Sequence, residues 1–220
     1  MFFLVTGASG VGKSTVRKLI EPEFADVLEA AELAMLGSTP KWSIEWRHQM
    51  VERMVRHALD VQREGKHFLC CGDPVPPGEV WAAPSADHLD CLAVCLLDAS
   101  EMAQTARLLN RGDDSDFIPQ HVAFADWMRH HVVDHRHRPE VITQNGWPEM
   151  RWDRWVGIAA TQPPWSSHVV DTSEQGPTEV AHLVAQWLRQ HIHADKTDAP
   201  NAVITPRFHS GVLRRGIGGL

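Results

Sequence analysis

The residues best suited to chemistry stand at the start of the chain, in a glycine-rich stretch. Positions 7 to 14 satisfy the pattern G-x-x-x-x-G-K-[ST], between the apolar run Phe2 to Thr6 and a helical pattern that continues to about Ile20. In such a strand, loop and helix, backbone N–H groups point inward at phosphate oxygens and the helix N-terminus adds positive charge. We predict a nucleotide-binding loop made of Gly7, Ala8, Ser9, Gly10, Val11, Gly12, Lys13, Ser14 and Thr15.

Two side chains of this loop suit a nucleoside triphosphate bound with magnesium. Lys13 is expected to bridge the β- and γ-phosphates, and the hydroxyl of Ser14 is expected to bind Mg²⁺. Every nucleoside triphosphate shares these phosphates, so the loop predicts ATP or another nucleoside triphosphate without selecting the base.

A carboxylate at the end of a neighbouring strand usually completes such a site. Asp73 follows an apolar strand pattern, and we predict that it organises the metal or accepts the proton of an acceptor hydroxyl. Asp98 and Asp171 also end strands, but Asp98 precedes a helix that it could cap, and Asp171 comes late in the chain. The alternative for Asp73 is an ordinary turn aspartate before Pro74.

Two arginines lie four residues apart near the end of a predicted helix. Arg107 and Arg111 therefore project from one face, and as a pair they could neutralise charge on a transferred phosphoryl group. The alternative is a cationic helix C-terminus that is favoured by the helix dipole. We list Lys13, Asp73, Arg107 and Arg111 as candidate catalytic residues, and Ser14 and Asp73 as candidate metal ligands.

Strand and helix patterns alternate along the chain. The strands are continuously apolar, which indicates burial on both faces and a parallel sheet, so we predict an α/β fold of three layers. The expected strands lie near residues 2–6, 25–29, 67–71, 91–97 and 169–172. Expected helices follow the glycine loop and cover about 43–64, 100–110 and 177–192, and the prolines at 74–78 are expected to interrupt regular structure.

We divide the chain into one domain, 1–192, with a helical insertion at about 113–167, and a C-terminal tail, 193–220, without periodicity. The insertion is rich in histidine and tryptophan. A zinc site would need converging ligands, so we instead expect His130, His131, His135 and His137 to form a solvated helix end.

Tryptophans and arginines also crowd together in this insertion. Trp147, Trp152 and Trp155, with Arg151 and Arg154, could stack on a ligand ring, but packing of the insertion onto the core is the favoured interpretation. A second group, Trp42, Trp46 and Arg47, opens the long helix expected to line the acceptor side.

Composition limits the classes of partner. A formal charge of −7 over 220 residues makes nucleic acid an unlikely main partner, and no apolar run is long enough to cross a membrane. The N-terminal apolar run lacks a basic region before it, so we expect a cytoplasmic protein. The four cysteines, Cys70, Cys71, Cys91 and Cys95, lie in apolar runs and are expected to be reduced and buried.

Three segments together resemble the small P-loop kinases, a group that includes the gluconate, shikimate, adenylate and guanylate kinases. They are the glycine loop, Arg107-Leu108-Leu109-Asn110-Arg111, and Val170-Asp171-Thr172 before a final helix. The resemblance covers about 2–112 and 168–192 and implies an adenylate-kinase-like core with a closing lid. Gluconate and shikimate kinases carry an acidic acceptor-binding residue on the second strand, where this chain offers only Glu29 or Glu32 without the expected neighbours.

These features together predict a kinase that transfers the γ-phosphoryl group of ATP to a hydroxyl of a small molecule such as a nucleoside, sugar derivative or antibiotic. The sequence does not identify this acceptor. The first alternative is a nucleotide-regulated NTPase or switch protein with a protein partner, and the second is a nucleic-acid end kinase. We expect a monomer or a homodimer.

Overall fold

The computed structural model describes residues 1–37, 42–159 and 163–196. Its sheet has five strands: β1 (Phe2–Thr6), β2 (Leu28–Ala31), β3 (His67–Cys71), β4 (Leu92–Asp98) and β5 (Ser166–Asp171). The strands lie in the order β2-β3-β1-β4-β5, and each neighbouring pair is parallel. The predicted α/β fold with a parallel central sheet is confirmed.

Helices cover both faces of this sheet. They are α1 (Lys13–Phe24), α2 (Ile44–Arg63), α3 (Pro77–Ala82), α4 (Glu101–Arg111), α5 (Ile118–His131), α6 (Glu140–Thr143) and α7 (Pro177–Lys196). Short 3-10 turns occur at Leu33–Met35, Ala86–His88, Ser115–Phe117 and Trp152–Trp155.

The central strand β1 shows why the sheet is buried on both sides. Phe2 and Leu4 belong to a core shared with α2, α3 and α5, whereas Phe3 and Val5 belong to a core shared with α1 and α7. All four side chains are fully buried. Alternate residues of a strand face opposite sides, so one continuous apolar run supplies both cores and holds the three layers together.

Several predicted boundaries need correction. Strand β2 begins at Leu28, later than the predicted 25–29, because Ala25 to Val27 form the turn that ends α1. Helix α1 extends beyond Ile20 and contains Pro22, with Phe24 buried in the core at its end. Regular structure resumes within the proline-rich stretch, because Pro77 begins α3. In the first turn of a helix the N–H that proline lacks would have no partner within the helix.

Helices α5 and α6 lie in the predicted insertion, which the structure describes over 113–159 and 163–167, and no strand lies within 113–159. Strand β5 begins at Ser166, so the predicted boundary at 167 overlaps it. Helix α5 packs into the core through Trp127 and Met128. Helix α7 continues to Lys196, past the predicted domain boundary at 192, and the rest of the predicted tail, 197–220, lies outside the described residues.

The expectation of a solvated histidine face is wrong for two of the four histidines. His131 and His135 are fully buried. The ring of His131 stacks on Trp127, and His135 lies edge-on to Trp155, which is itself buried in the core. The favoured packing interpretation of the tryptophans therefore holds for Trp155.

The cysteines largely follow the prediction. All four are free thiols; Cys70, Cys71 and Cys95 are buried, whereas Cys91 is partly exposed. Burial raises the pKa of the Cys71 thiol to about 12, which keeps it protonated at neutral pH. Among the helices that the structure describes, none is both long and apolar enough to span a membrane.

Candidate active site

The glycine loop connects β1 to α1 in a tight turn. Gly7 has a φ of +143°, and a Cβ placed on it would lie 2.2 Å from the carbonyl oxygen of Leu97 in β4. Gly12 caps α1 with a φ of +97°. Gly7 combines the close approach with a positive φ, and Gly12 has a positive φ alone; glycine allows both because it has no Cβ, so the loop can turn sharply.

Lys13 is the first residue of α1, and its side chain folds back across the loop. Nζ donates hydrogen bonds to the carbonyl oxygens of Gly7, at 2.9 Å, and Ala8, at 2.7 Å. Burial lowers the pKa of Lys13 to about 8, against the opposing influence of Cys71 and Asp73. The ammonium is thus held in place by neutral carbonyls, at the position where phosphate oxygens would meet a helix N-terminus.

Both predicted arginines reach the same region from α4. Arg111 donates from Nη2 to the hydroxyl of Ser9, at 2.8 Å, and also pairs with Asp113. Arg107 donates to Thr172 Oγ1, at 2.9 Å, and to the carbonyl oxygens of Thr172 and Ser173. The two guanidinium groups therefore have different surroundings: Arg111 contacts the glycine loop, and Arg107 contacts the segment after β5.

A cavity of about 620 Å³ brings these groups together. It lies between the glycine loop, α4 and the start of α7. Its lining includes Lys13, Ser14, Arg107 and Arg111, so four of the five candidate catalytic and metal-binding residues share one space. The complete lining is Ser9, Gly10, Val11, Gly12, Lys13, Ser14, Thr15, Val16, Gly72, Pro74, Arg107, Arg111, Thr172, Gln175, Pro177 and Val180.

Asp73 does not line this cavity, although both of its neighbours do. Its Oδ2 accepts a hydrogen bond from the N–H of Leu33, at 2.5 Å, across the ends of β2 and β3. Burial raises the pKa of Asp73, the Leu33 N–H opposes this rise, and Glu32 adds to it. Asp73 therefore borders the cavity as a partly desolvated carboxylate whose charge acts on Lys13.

The two competing aspartates are occupied elsewhere. Asp98 accepts a hydrogen bond from Arg129 Nε, at 2.7 Å, and Ser100 is the residue that caps α4. The prediction that Asp98 caps this helix is therefore wrong, because the serine hydroxyl reaches the free N–H of Ala103. Asp171 accepts from Ser173.

A magnesium ion at this site would find oxygen donors from Ser14 and, at the border of the cavity, Asp73. Among the described residues no group of three or more histidine, cysteine, aspartate or glutamate side chains could hold a metal by itself. Mg²⁺ commonly binds through one or two protein oxygens together with substrate phosphates and water, so this sparse donor set fits it.

Sequence reasoning did not single out Gln104, and it named Glu32 only as one of two acidic candidates near the second strand. Gln104 is fully buried and donates from Nε2 to the carbonyl oxygen of Ser9, at 2.8 Å, which fixes the loop to α4. Glu32 follows β2 and accepts from Arg17 Nε, at 2.9 Å. Gln104 lies one turn before Arg107 on the same helix face, and this spacing could have indicated that its side chain reaches the same region.

The comparisons with known proteins bear on the fold. No protein-family model matches the chain, and no curated protein matches it. Among solved structures, a sugar kinase from Janibacter sp. HTCC2649 has a TM-score of 0.56 at 15% identity, over 86% of this chain and 94% of that one. A putative kinase from Chloroflexus aurantiacus j-10-fl has a TM-score of 0.50 at 14% identity, over 88% and 96%. The chain therefore shares a fold with these kinases.

Proposed function

We propose that this protein is an ATP-dependent phosphotransferase that moves the γ-phosphoryl group to a hydroxyl of a small molecule, with Mg²⁺. The observation that carries the proposal is the shared cavity, where the glycine loop, Lys13, Arg107 and Arg111 meet. Phosphoryl transfer depends mainly on positioning and on stabilising negative charge, and these residues supply both.

The phosphates are the part of the nucleotide that this chain is best built to hold. Backbone N–H groups of the loop and the start of α1 would bind phosphate oxygens, and Lys13 would exchange its two carbonyl partners for them. Arg111 is half-exposed and bound to the loop through Ser9, so it can turn toward the γ-phosphoryl group without leaving the site.

Arg107 suits a different task from the one that the sequence suggests. Its guanidinium is fixed by Thr172 and Ser173, and it lines the cavity together with Pro177 and Val180. A planar guanidinium that lines a cavity together with apolar side chains can stack on a flat ring. We therefore assign Arg107 to the nucleobase and Arg111 to the transferred charge.

Magnesium would supply charge neutralisation between the β- and γ-phosphates, with Ser14 as the protein ligand. Asp73 would assist either as an outer partner of the metal or as the base. In the second role, the acceptor oxygen bonds to the γ-phosphorus as the bond to the β-bridging oxygen breaks, the hydroxyl proton passes to Asp73, and ADP leaves. A pKa raised by burial suits a carboxylate to proton acceptance.

The experiment measures ADP release with Mg²⁺ and ATP against a panel of nucleosides, sugars, sugar acids and hydroxylated antibiotics, with product mass as the second readout. We expect ADP release that depends on one acceptor class, together with a mass gain of one phosphoryl group. Lys13→Ala should abolish it, whereas Lys18→Ala, on the exposed side of α1, should not.

Two results would contradict the proposal. Slow ADP release that no acceptor changes would indicate an NTPase or switch protein instead. Transfer to nucleic-acid ends that weakens steeply with salt would indicate an end kinase.

A further inference from the structure

A buried glutamine joins the glycine loop to helices α4 and α5. Gln104 of α4 has no exposed surface. Its Nε2 donates to the carbonyl oxygen of Ser9, at 2.8 Å, and to that of His121 in α5, at 3.3 Å. Helix α5 is itself tied to the end of β4, because Arg129 donates to the carboxylate of Asp98. The amide nitrogen is therefore held between two acceptors whose positions are fixed.

The two carbonyl partners also determine which way the amide of Gln104 faces. A carbonyl oxygen can only accept, so the nitrogen end of the amide must face Ser9 and His121. Oε1 of Gln104 is buried and has no hydrogen-bond partner in the part of the chain that the structure describes. A buried acceptor without a partner destabilises a fold, so the benefit of this side chain lies in its N–H groups.

The hydrogen bond to Ser9 sets the direction of the next N–H group. In a planar trans peptide the C=O of one residue and the N–H of the following residue point in opposite directions, and every described peptide bond is trans. Because Gln104 holds the oxygen of Ser9, the N–H of Gly10 points away from that amide. Within residues 1–37, 42–159 and 163–196, no backbone carbonyl accepts from this N–H. Gly10 lines the nucleotide cavity, so the loop has an unused donor there.

The peptides before Ser9 are held by a different residue. Lys13 Nζ binds the two preceding carbonyl oxygens, so these face the lysine and not α4. The partner of the loop carbonyls therefore changes at Ser9, which is the residue that Gln104 holds. Gly10 allows this change, because it has a φ of +88° and a Cβ placed on it would lie 3.1 Å from the side chain of Leu108.

We infer that Gln104 is a positioning residue of the nucleotide site, which holds the oxygen of Ser9 against α4 and so aims the N–H of Gly10 at a phosphate oxygen of the bound nucleotide. This inference rests on the proposed function. A donor that is aligned before the ligand arrives does not have to be ordered on binding, so the phosphates bind more tightly. Helix α5 contributes to the site because it supplies the second acceptor for the amide.

The first test measures the binding of ATP, inorganic triphosphate and adenosine to the wild type and to Gln104→Leu. The variant lacks the N–H groups that hold Ser9, so the peptide between Ser9 and Gly10 can rotate. We expect Kd for ATP and for inorganic triphosphate to rise by the same factor, about tenfold, and Kd for adenosine to stay within about twofold. Adenosine has no phosphate, whereas a general loss of packing would weaken all three ligands.

Two further variants serve as control and as second variant. Gln62→Leu also removes a side-chain amide with a buried nitrogen, but Gln62 stands in the last turn of α2 and does not line the nucleotide cavity. It should leave all three Kd values unchanged. Gln104→Met has a flexible side chain of similar length that fills irregular space, so it gives the same comparison if Gln104→Leu does not fold.

The second test observes the donor itself by NMR of the backbone amides. When inorganic triphosphate is added to the wild type, the amide proton of Gly10 should shift downfield, because a hydrogen bond to a charged oxygen forms. In Gln104→Met the shift of Gly10 should fall to less than about half of the wild-type value at saturation, while that of Gly12 is retained. Gly12 lines the same cavity but is not next to the peptide that Gln104 holds, so it reports on triphosphate binding in the variant.

Three results would overturn the inference. Unchanged triphosphate affinity in the Gln104 variants, with binding by the wild type, would remove the role of Gln104 and leave the proposed function standing. An equal loss of adenosine and triphosphate affinity, or a Gly10 shift that the variants retain in full, would show that Gln104 only supports packing. A wild type that binds neither ATP nor inorganic triphosphate would overturn the proposed function together with the inference.

Discussion

Arg111 at the end of α4 donates a hydrogen bond to the hydroxyl of Ser9 in the glycine loop, across 2.8 Å. The contact joins residues more than one hundred positions apart and places a half-exposed cation at the mouth of the nucleotide cavity. Since Asp113 accepts from both Nε and Nη2 of the same guanidinium, Arg111 can exchange Ser9 for another partner while Asp113 still holds it.

The first prediction concerns this arginine. Arg111→Ala should lower kcat about 100-fold and change the ATP Kd only a few-fold, because the arginine charge stabilises the transition state of phosphoryl transfer more than the bound ground state. Steady-state kinetics with the preferred acceptor, beside a nucleotide-binding titration, would measure both. Arg63→Ala removes an arginine from the exposed last turn of α2 and should leave both values unchanged. Equal losses in kcat and in ATP affinity would show that Arg111 has no specific role in the transfer step.

The second prediction concerns Arg107. Its fixed contacts with Thr172 and Ser173 favour a slot for the base, so Arg107→Ala should raise the ATP Kd about tenfold and affect kcat at saturating ATP little. Binding of inorganic triphosphate, which has no base, should not change. Arg151→Ala, on an exposed pair with Asp153, is the matched control. A kcat loss with unchanged ATP affinity would instead support the role in charge neutralisation that the sequence suggests.

Sequence reasoning succeeded where the signal was local. The glycine loop needs only a strand before it and a helix after it, and the spacing of Arg107 and Arg111 places both on one face of α4. Their meeting in one cavity follows from a parallel sheet, in which the carboxyl ends of strands share an edge.

Contacts between residues far apart in the sequence could not be predicted from local patterns. Glu32 lies over Gly72 only because β2 and β3 pair in a particular register, which no local pattern encodes. The rings of His131 and His135 both contact Trp165, which lies far along the chain just before β5, and His131 also stacks on Trp127 of its own helix. Their burial depends on this tertiary packing, so a composition rule that places histidines at the surface failed there.

The third prediction concerns a buried ion pair that ties α2 to α3. Burial alone would raise the pKa of Glu79, but Arg47 and His48 hold it below its usual value. Arg47→Ala leaves this carboxylate buried with only His48 beside it and should lower the free energy of unfolding by about 3–5 kcal/mol. Arg56→Ala, in a pair whose arginine is 67% exposed, should change it by less than about 1 kcal/mol. Chemical denaturation would measure both, and equal effects would contradict the structural role of Glu79.

The fourth prediction is a loss of stability in acid that arises at His131. Its Nε2 accepts a hydrogen bond from the N–H of Gly78, at 3.2 Å, which requires an unprotonated nitrogen. Burial lowers the pKa of His131 to about 3, with Glu79 opposing the shift and His135 reinforcing it. Because the unfolded chain binds a proton near the ordinary pKa of about 6.5, the contribution of His131 is complete above that value and is lost as pH falls toward 3.

Between pH 7.5 and pH 5 this single group should lower the free energy of unfolding by about 2 kcal/mol. Denaturation at both pH values would measure the loss. The glutamine of His131→Gln can still accept a hydrogen bond from the N–H of Gly78 but cannot titrate. Between pH 7.5 and pH 5 the free energy of unfolding of this variant should therefore fall by about 2 kcal/mol less than that of the wild type, whatever its stability at pH 7.5. His88→Gln changes a side chain that is 75% exposed, so its free energy of unfolding should fall between these pH values as much as that of the wild type. The same pH slope in wild type and His131→Gln would show that other groups cause the acid sensitivity.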